Sequence, residues 1–567
     1  MTQRIVIDPV TRIEGHLRID CEIQDGRVVK AWSSGQMWRG IEEILKGRDA
    51  RDAWVITQRI CGVCTTVHAI TSVRAVENAL DMEIPLNAQF IRNMIMAAHG
   101  VHDHIVHFYH LSALDWVDIV SALSADPAKA ARFAAGLSDW AGSSEQNLTA
   151  VQDKLKAFAA SGQLGIFANG YWGHPEMRLS PEANLMAAAH YLQALEIQRK
   201  ANRIVAILGG KTPHIQNLAV GGVANPVDPD SADAINMERL YRIKQFIDEL
   251  ALFVRQAYMV DVAAIAANYP EWLTMGAGVT HALSVPDMPI DTRGAECTLP
   301  GGFLKDGDIA QFEPITGFHD PTFESAVLES SKHAWYADDD KPLHPYEGKT
   351  RPNYTDFADD GKYSWVKAPT YKGERAQVGP LANVLAMVAA KHEPTTRHLN
   401  TLLGTVKGLI GAELPLTALQ STLGRHAARA VRCAVLLESL DDQWNRLVAN
   451  IRKGDLETFN QPEFPKGAVQ GFGFHEAPRG CLSHWVVVEK GKIVNYQAVV
   501  PTTWNAGPRD QEEQAGPYEA SLVGNSVADP ERPLEALRTI HSFDPCLACA
   551  VHMVDPQQRE LTKVQVV

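Results

Sequence analysis

The sequence predicts a mainly α fold with some β structure (α+β): a bundle of long helices with small β elements near the N- and C-terminal regions. Apolar residues recur at helical spacing in four long segments, at 86–115, 181–211, 233–267 and 415–453. Alternating segments near both ends of the chain predict short strands. No internal repeat, low-complexity linker or change of composition divides the 567 residues. We therefore expect one integrated unit.

Taken in chain order, the first predicted elements are strands. The stretches RIVIDPV and HLRIDCEI alternate between apolar and polar residues, and QDGRVVKAW is typical of a hairpin turn that leads into a further strand. The second long helix is expected to begin at Pro181 and to end at Gly209–Gly210. Residues 271–380 are rich in Gly, Pro, Asp and aromatic residues, which predicts long irregular loops and short strands. A hairpin around Lys490–Gly491 is predicted within CLSHWVVVEKGKIVNYQAVVPTTW, residues 481–504.

The composition is that of a globular protein and limits its partners. Apolar residues make up 46% of the chain and charged residues 21%, which excludes disorder as the main state. A net charge of −14 argues against nucleic acid or anionic lipid as the main partner, because phosphate binding needs a basic face. No segment approaches the roughly 18–20 unbroken apolar residues that span a bilayer. The N-terminus has no apolar signal-peptide core, so we expect synthesis in the cytoplasm.

The eight cysteines divide into two groups. Cys21, Cys297, Cys433 and Cys481 stand singly and are expected to be buried small hydrophobic residues. The other four form two CxxC pairs, Cys61/Cys64 and Cys546/Cys549, each followed by a histidine, in RICGVCTTVH and DPCLACAVH. In a chain without a signal peptide, such pairs favour metal or redox chemistry over structural disulfides. Because the two pairs lie near opposite ends of the chain, the ends must meet around any shared metal.

Spacing alone leaves several kinds of site open. A structural zinc site with four thiolates and an iron–sulfur cluster both take four cysteines, and soft thiolates also suit nickel. A thioredoxin-like dithiol is disfavoured, because the strand–CxxC–helix surroundings are not evident. Titratable residues near the motifs favour chemistry over a plain structural site; they are Glu14, Asp103, Arg479 and Asp544.

Two further motifs are given structural interpretations. The histidines of VHDHIVHFYH include pairs at i, i+3 spacing, but no acidic metal motif such as HExxH accompanies them. We expect packing or hydrogen-bonding roles for these residues, which are His102, His104, His107 and His110. The segment GGKTPHIQN, residues 209–217, lies at a helix C-terminus, where the dipole has the wrong sign for a phosphate.

Taken together, the motifs identify a family. RICGVCTTVH and DPCLACAVH resemble the paired signatures of nickel–iron hydrogenase large subunits, and DPVTRIEGH, GQMWRGIE, GGKTPH, EAPRG and VVPTTWN fit the same family. The resemblance runs from about residue 4 to the last residue and is closest to the bacterial membrane-associated, hydrogen-uptake type. A related respiratory-complex subunit shares the fold but lacks these cysteines.

The resemblance implies heterolytic, reversible cleavage of H2 at a nickel–iron centre. In the family pattern Cys61 and Cys546 would bind nickel alone, while Cys64 and Cys549 would bridge nickel and iron. The iron would also carry one carbon monoxide and two cyanides. A magnesium or similar hard cation is implied near the C-terminus. Its protein ligands would be the Glu42 carboxylate, a backbone carbonyl near Gln497 and the His552 ring, and oxygen ligands suit such a cation.

The resemblance also assigns roles around the centre. Glu14 would be the first proton relay, accepting from the Cys546 thiolate; the alternative is that Glu14 only pairs with Arg12 or another cation. Arg479 would lie over the open metal site, held by Asp103 and Asp544. An electrostatic and positioning role is favoured for Arg479, and direct action as a base is the alternative. Residues expected to hydrogen-bond the cyanides or a bridging thiolate are Thr502, the backbone around Pro478 and Arg479, and His68.

The resemblance finally implies partners, location and processing. A small subunit with iron–sulfur clusters would take the electrons, and its twin-arginine signal would carry both chains to the periplasmic side of the cell membrane. Membrane contact would come only through partner subunits. Residues 1–552 would form the catalytic unit, while 553–567 would be an extension removed by a maturation endopeptidase after chaperones insert nickel. A structural zinc protein and a hydrogen sensor or assembly factor are the competing classes, and the tail argues against a sensor.

Overall fold

The computed structural model describes residues 3–162, 167, 170–337 and 340–550. This part of the chain is mainly helical, with several small sheets. The helices are α1 (Ile41–Leu45), α2 (Ala53–Thr57), α3 (Thr65–Ala79), α4 (Leu86–Val106), α5 (Ile119–Ala122), α6 (Pro127–Ala135), α7 (Glu145–Ala160), α8 (Pro181–Gly209), α9 (Met237–Phe253), α10 (Met259–Asn268), α11 (Pro321–Ala326), α12 (Pro380–Ala389), α13 (Glu393–Ile410), α14 (Thr422–Arg452), α15 (Pro501–Ala506), α16 (Pro517–Leu522), α17 (Leu534–Ser542) and α18 (Leu547–Ala550).

The strands form small sheets, all with antiparallel pairing. They are β1 (Gln3–Ile7), β2 (Leu17–Gln24), β3 (Arg27–Gly35), β4 (Leu218–Ala219), β5 (Gly222–Val223), β6 (Ala282–Ser284), β7 (Asp287–Pro289), β8 (Cys297–Leu299), β9 (Gly301–Leu304), β10 (Phe312–Ile315), β11 (Val327–Ser330), β12 (Ala368–Tyr371), β13 (Ala468–Ala477), β14 (Gly480–Glu489) and β15 (Lys492–Val499). The three-stranded sheets have the orders β1-β2-β3, β10-β9-β6 and β13-β14-β15.

The four long helices lie where the sequence predicts them. Helix α4 packs against α8 and α14, and these helices share one large hydrophobic core. Helix α14 begins seven residues after the predicted start, because Leu416–Leu419 forms a short 3-10 turn and the Ser421 hydroxyl then caps the backbone N–H of Gly424. The predicted helix at 86–115 changes to a π-helical turn at His107–Ser112, where the extra residue per turn rotates the following side chains.

Among the described residues, one helical segment is long and apolar enough on average to cross a membrane, although it contains no unbroken apolar run of the length considered above. It runs over Met237–Asn268, through a π-helical turn at Val254–Tyr258 that joins α9 to α10. In its most apolar stretch of 18 residues, 67% is buried inside the protein. Such burial is typical of a core helix, which passes the same test.

Segments from near the two ends of the described chain meet beside the start of α3. Helix α3 lies on β13 and β14, where a Cβ at Gly471 or Gly473 would come within 2.4 Å of the α3 backbone. The N-terminal segment pairs with the C-terminal one, since the backbone N–H of Leu547 donates to the Glu14 carbonyl at 2.7 Å. Gly15 permits this approach, because it has a φ of 81° and a Cβ there would lie 2.4 Å from the backbone nitrogen of Ala548.

Candidate metal centre

The four paired cysteines converge on one buried point. Cys61 follows a short 3-10 turn and Cys64 precedes α3, whereas Cys546 immediately precedes α18 and Cys549 lies within it. The Cys546 sulfur is 3.3 Å from the Cys61 sulfur, 3.6 Å from that of Cys64 and 3.0 Å from that of Cys549. All four sulfurs lie within 4.8 Å of one another, and none is in a disulfide.

The donor set suits soft metal ions. Burial raises the pKa of Cys64 to about 11 and holds the pKa values of Cys546 and Cys549 well above the ordinary thiol range. Burial opposes ionisation of Cys61 as well, but hydrogen bonds from neighbouring thiols, Cys546 first, bring its pKa well below that range. Four thiolates can therefore share this pocket only with cations that offset their charge.

A small pocket adjoins the sulfurs and has mostly apolar walls. Its lining residues are Cys64, Val67, His68, Ala477, Pro478, Arg479, Leu482, Pro501, Thr502, Cys546 and Cys549. The Thr502 Oγ1 accepts from the backbone N–H of Cys546 at 3.1 Å, so its own hydroxyl proton is available for a further acceptor. Arg479 and Thr502 thus supply polar donors in an otherwise apolar cavity.

Arg479 is clamped between two buried carboxylates. Its Nη1 donates to Asp103 at 2.9 Å, and its Nε lies 2.9 Å from Asp544. Although burial opposes its charge, the carboxylate of Asp544 is the first of the anions that raise the pKa of Arg479 well above the usual range. Burial raises the pKa of Asp544 to about 6, against the pull of Arg479. The guanidinium is therefore a fixed cation beside the sulfurs.

Glu14 lies on another side of Cys546. Its Oε2 is 3.6 Å from the Cys546 sulfur and accepts from the backbone N–H of Ala548 at 3.1 Å. Burial, and then the charge of Cys61, raise the pKa of Glu14 to about 7. Arg12, the alternative partner, instead donates to the Asp115 carboxylate. The Glu14 residue is only partly buried, in contrast to the four thiols.

His68 contacts the other C-terminal thiol. Its Nε2 lies 3.3 Å from the Cys549 sulfur, and its Nδ1 lies 3.1 Å from His484 Nε2. Burial lowers the pKa of His68 to about 4, so the ring is neutral at pH 7. The sequence motifs do not point to His484, whose position on β14 becomes meaningful only once the sheet packs on α3.

Of the residues expected to bind a hard cation, Glu42 lines a second, acidic pocket. The Glu42 carboxylate accepts from the Thr350 hydroxyl and from the backbone N–H of Ala498, the latter at 3.0 Å. Gln497 lies on β15 and accepts from the Lys367 ammonium at 2.8 Å. His552, the third expected ligand, lies outside the described residues.

The charge of this second pocket is consistent with a cation. Glu42 and Glu329 are both buried there, and Lys367, 3.4 Å from Glu329, is the one ammonium among the residues that line it. Two carboxylates against one ammonium leave a negative charge that a divalent cation would offset. Sequence reasoning missed Glu329 and Lys367, which lie in the predicted loop region and carry no motif.

The histidines between residues 102 and 110 have different kinds of partner. His107 and His110 bind backbone carbonyls, those of His541 and Tyr191. His102 joins His99 and Asp103 in a group whose ligand atoms lie within 4.8 Å of one another. Asp103 already pairs with Arg479, so the guanidinium of Arg479 is the cation next to this group.

Comparisons with known proteins agree with this geometry. The family model described as nickel-dependent hydrogenase matches residues 39–552, and one described as HoxL-like matches residues 4–31. The chain is 59% identical to the hydrogenase-2 large chain of Escherichia coli (strain K12) over 567 residues, covering 100% of both. It is 48% identical to the uptake hydrogenase large subunit of Bradyrhizobium diazoefficiens, with 100% of this chain and 97% of the relative covered.

A solved structure gives the same result for the fold. The Ni-Fe-Se hydrogenase from Desulfovibrio vulgaris Hildenborough in the reduced state matches with a TM-score of 0.78 and 33% identity, over 97% of this chain and 100% of that one. The family match covers the four converging thiols and nearly the whole described fold. The chain therefore belongs to the nickel-dependent hydrogenase family, as a large subunit.

Proposed function

We propose that this large subunit carries the catalytic centre for reversible cleavage of H2 into two protons and two electrons, and that the electrons pass to an iron–sulfur small subunit. The observation that supports this most is the set of four buried thiols, with a fixed guanidinium and a carboxylate beside it. Among the described residues the other four cysteines form no metal-binding group. The electrons must therefore leave through another chain.

The thiols have distinct proposed roles. Cys61 and Cys546 would hold nickel alone, and Cys64 and Cys549 would bridge nickel and iron. When bound, the nickel–iron group, with one carbon monoxide and two cyanides on iron, supplies the redox and Lewis-acid chemistry that polarises H2. The Thr502 hydroxyl and the backbone around Pro478 and Arg479 would donate hydrogen bonds to the cyanides. The walls of the pocket are mostly apolar, which disfavours the entry of water.

Proton transfer is assigned to Cys546 and Glu14. The Glu14 carboxylate is within reach of the Cys546 sulfur, from which it would take the proton before passing it outward. Arg479, held in one orientation by Asp103 and Asp544, would stabilise negative charge at the open metal site. Its raised pKa favours this role over direct action as a base.

The wider assembly is proposed on the same basis. Residues 1–552 would form one unit organised on a bundle of long helices, with Mg²⁺ bound by Glu42, a carbonyl near Gln497 and His552. The iron–sulfur small subunit would carry the complex to the periplasmic side of the cell membrane. Nickel-insertion chaperones and a maturation endopeptidase would act first, in the cytoplasm.

Replacement of one thiol tests the centre directly. Cys546→Ser is expected to abolish H2-dependent dye reduction and to remove nickel from the purified two-subunit complex, because the hard hydroxyl is a poor ligand for a soft metal. Elemental analysis and a dye-reduction assay measure the two effects. Cys481→Ser is the matched control, since Cys481 is equally buried but lies outside the thiol group, and it should keep its nickel. A Cys546→Ser enzyme with full nickel and activity would contradict the assignment.

Processing predicts a defined C-terminus. Chain isolated from the active complex is expected to end at His552, without residues 553–567, whereas chain made without nickel should keep them. Intact-mass spectrometry distinguishes the two forms. Active complex that retains the full 567 residues, or ends elsewhere, would refute the proposed cleavage.

A further inference from the structure

A line of hydrogen bonds runs away from Cys549 into the protein. His68 Nε2 is 3.3 Å from the Cys549 sulfur, and His68 Nδ1 is 3.1 Å from His484 Nε2. His484 Nδ1 is 2.7 Å from the Tyr496 hydroxyl, which is 2.9 Å from Ser72 Oγ. None of these four side chains is more than 1% exposed. We refer to His68, His484, Tyr496 and Ser72 as the His68 chain.

The His68 chain is built on rigid elements. His68 and Ser72 lie one turn apart on α3, while His484 and Tyr496 lie on the neighbouring strands β14 and β15. Tyr496 pairs with Val486, two residues from His484, so the two rings are diagonal neighbours on one face of the sheet. The ring centroids are 5.3 Å apart for His68 and His484, and 5.5 Å apart for His484 and Tyr496.

The order of protons along this line follows from the chemistry at its end. A neutral imidazole carries one N–H and one lone pair, so each ring that accepts at one nitrogen donates at the other. A metal-bound thiolate has no proton to give and needs a donor. His68 must therefore donate from Nε2 and accept at Nδ1. His484 must then donate from Nε2 and accept at Nδ1, which makes the Tyr496 hydroxyl its donor and Ser72 the donor to Tyr496.

The opposite order of donors and acceptors would leave the Cys549 sulfur without a hydrogen-bond donor. If Tyr496 gave its proton to Ser72, His484 would donate to Tyr496 and His68 would donate to His484. The lone pair of His68 Nε2 would then face the electron-rich sulfur of Cys549.

We propose that His484 and Tyr496 are positioning residues that fix His68 as the hydrogen-bond donor to the Cys549 thiolate. This inference rests on the proposed function, in which Cys549 bridges the two metals. Residues that orient a group touching a metal ligand tune the metal, because a hydrogen bond to the sulfur withdraws electron density from it. The acceptor strength of one bridging sulfur would thus be set by residues that touch neither the metals nor their ligands.

Tyr496→Phe tests this inference with little change in volume. The variant removes the donor that fixes His484, so hydrogen bonding to Cys549 weakens and more electron density reaches the iron. The carbon monoxide and cyanide stretching bands of the purified complex are expected to move to lower wavenumber. H2 oxidation should fall about tenfold. Tyr109→Phe is the matched control, since Tyr109 is buried and donates to Asp261, away from the His68 chain, and its bands should not move.

A rescue variant separates positioning from packing. In the double variant Tyr496→Phe/His484→Gln, the amide nitrogen of Gln carries its own protons and can donate to His68 without Tyr496. Its bands should lie closer to wild type than those of Tyr496→Phe alone. If Tyr496→Phe folds but loads no nickel, the double variant should recover loading. Unshifted bands in Tyr496→Phe, or no recovery of bands or loading in the double variant, would overturn the inference.

The outcomes also distinguish this inference from the proposed function. Wild-type complex without any bands in the carbon monoxide and cyanide region would defeat the proposed function itself. Wild-type complex with these bands, and variants that leave them unmoved, would defeat only the role of His484 and Tyr496.

Discussion

Replacing Glu14 by Gln is expected to slow H2 oxidation by about 10²–10⁴-fold, the range lost with a positioned acid–base group. The Gln side chain keeps the size of Glu and an oxygen that can still accept from the backbone N–H of Ala548. It cannot take up and release a proton near neutral pH, so transfer from Cys546 stops at the first step. The metal centre should assemble normally, because Glu14 is not among the four converging thiols.

The measurement for Glu14 combines two readouts. Dye reduction by H2 reports turnover, and infrared bands with nickel content report assembly. Glu43→Gln is the matched control, since Glu43 is exposed and forms a surface ion pair with Lys46. Full H2 oxidation by a loaded Glu14→Gln complex would rule out the relay.

Replacing Arg479 by Lys is expected to lower H2 oxidation by about 10²–10³-fold, the loss typical when a fixed electrostatic donor is removed from an active site. Arg479 binds Asp103 and Asp544 from different nitrogens of one planar group. A lysine has a single ammonium on a flexible stem and cannot reproduce this fork. The positive charge would remain but would no longer be held in place beside the sulfurs.

A conservative substitution elsewhere provides the comparison for Arg479. Arg446→Lys at the surface, where Arg446 pairs with Asp442, should leave turnover unchanged. Steady-state dye reduction and nickel content are the measurements. Near-normal turnover of a loaded Arg479→Lys complex would count against both the positioning role and the role as a base.

Much of the fold could be predicted from local sequence patterns. The helix α8 follows its signals closely, from Pro181 at its first position to Gly210 just after its end. The β14–β15 hairpin forms around Lys490–Gly491, where both residues have positive φ. Such features depend on neighbouring residues, which is why a single sequence reveals them. The short strands between 282 and 371 were predicted only as a region, because their pairing depends on distant contacts.

Less of the candidate site than of the fold could be predicted from local sequence patterns. The two CxxC pairs indicate a shared metal from spacing alone, but the roles of Glu14 and Arg479 came from the family resemblance. His484, Tyr496 and Lys367 could not be singled out, because their partners are remote in sequence and meet only after α3, the C-terminal sheet and the central loops have packed. Buried hydrogen-bond lines of this kind leave no periodic pattern in a sequence.

The most direct test of the nickel–iron centre is elemental analysis together with infrared spectroscopy of the chain purified with its partner subunit. We expect one nickel and one iron per large subunit, with bands in the carbon monoxide and cyanide stretching region. Zinc without such bands, in a chain that ends at His552, would contradict the proposed centre and would indicate a structural four-thiolate site.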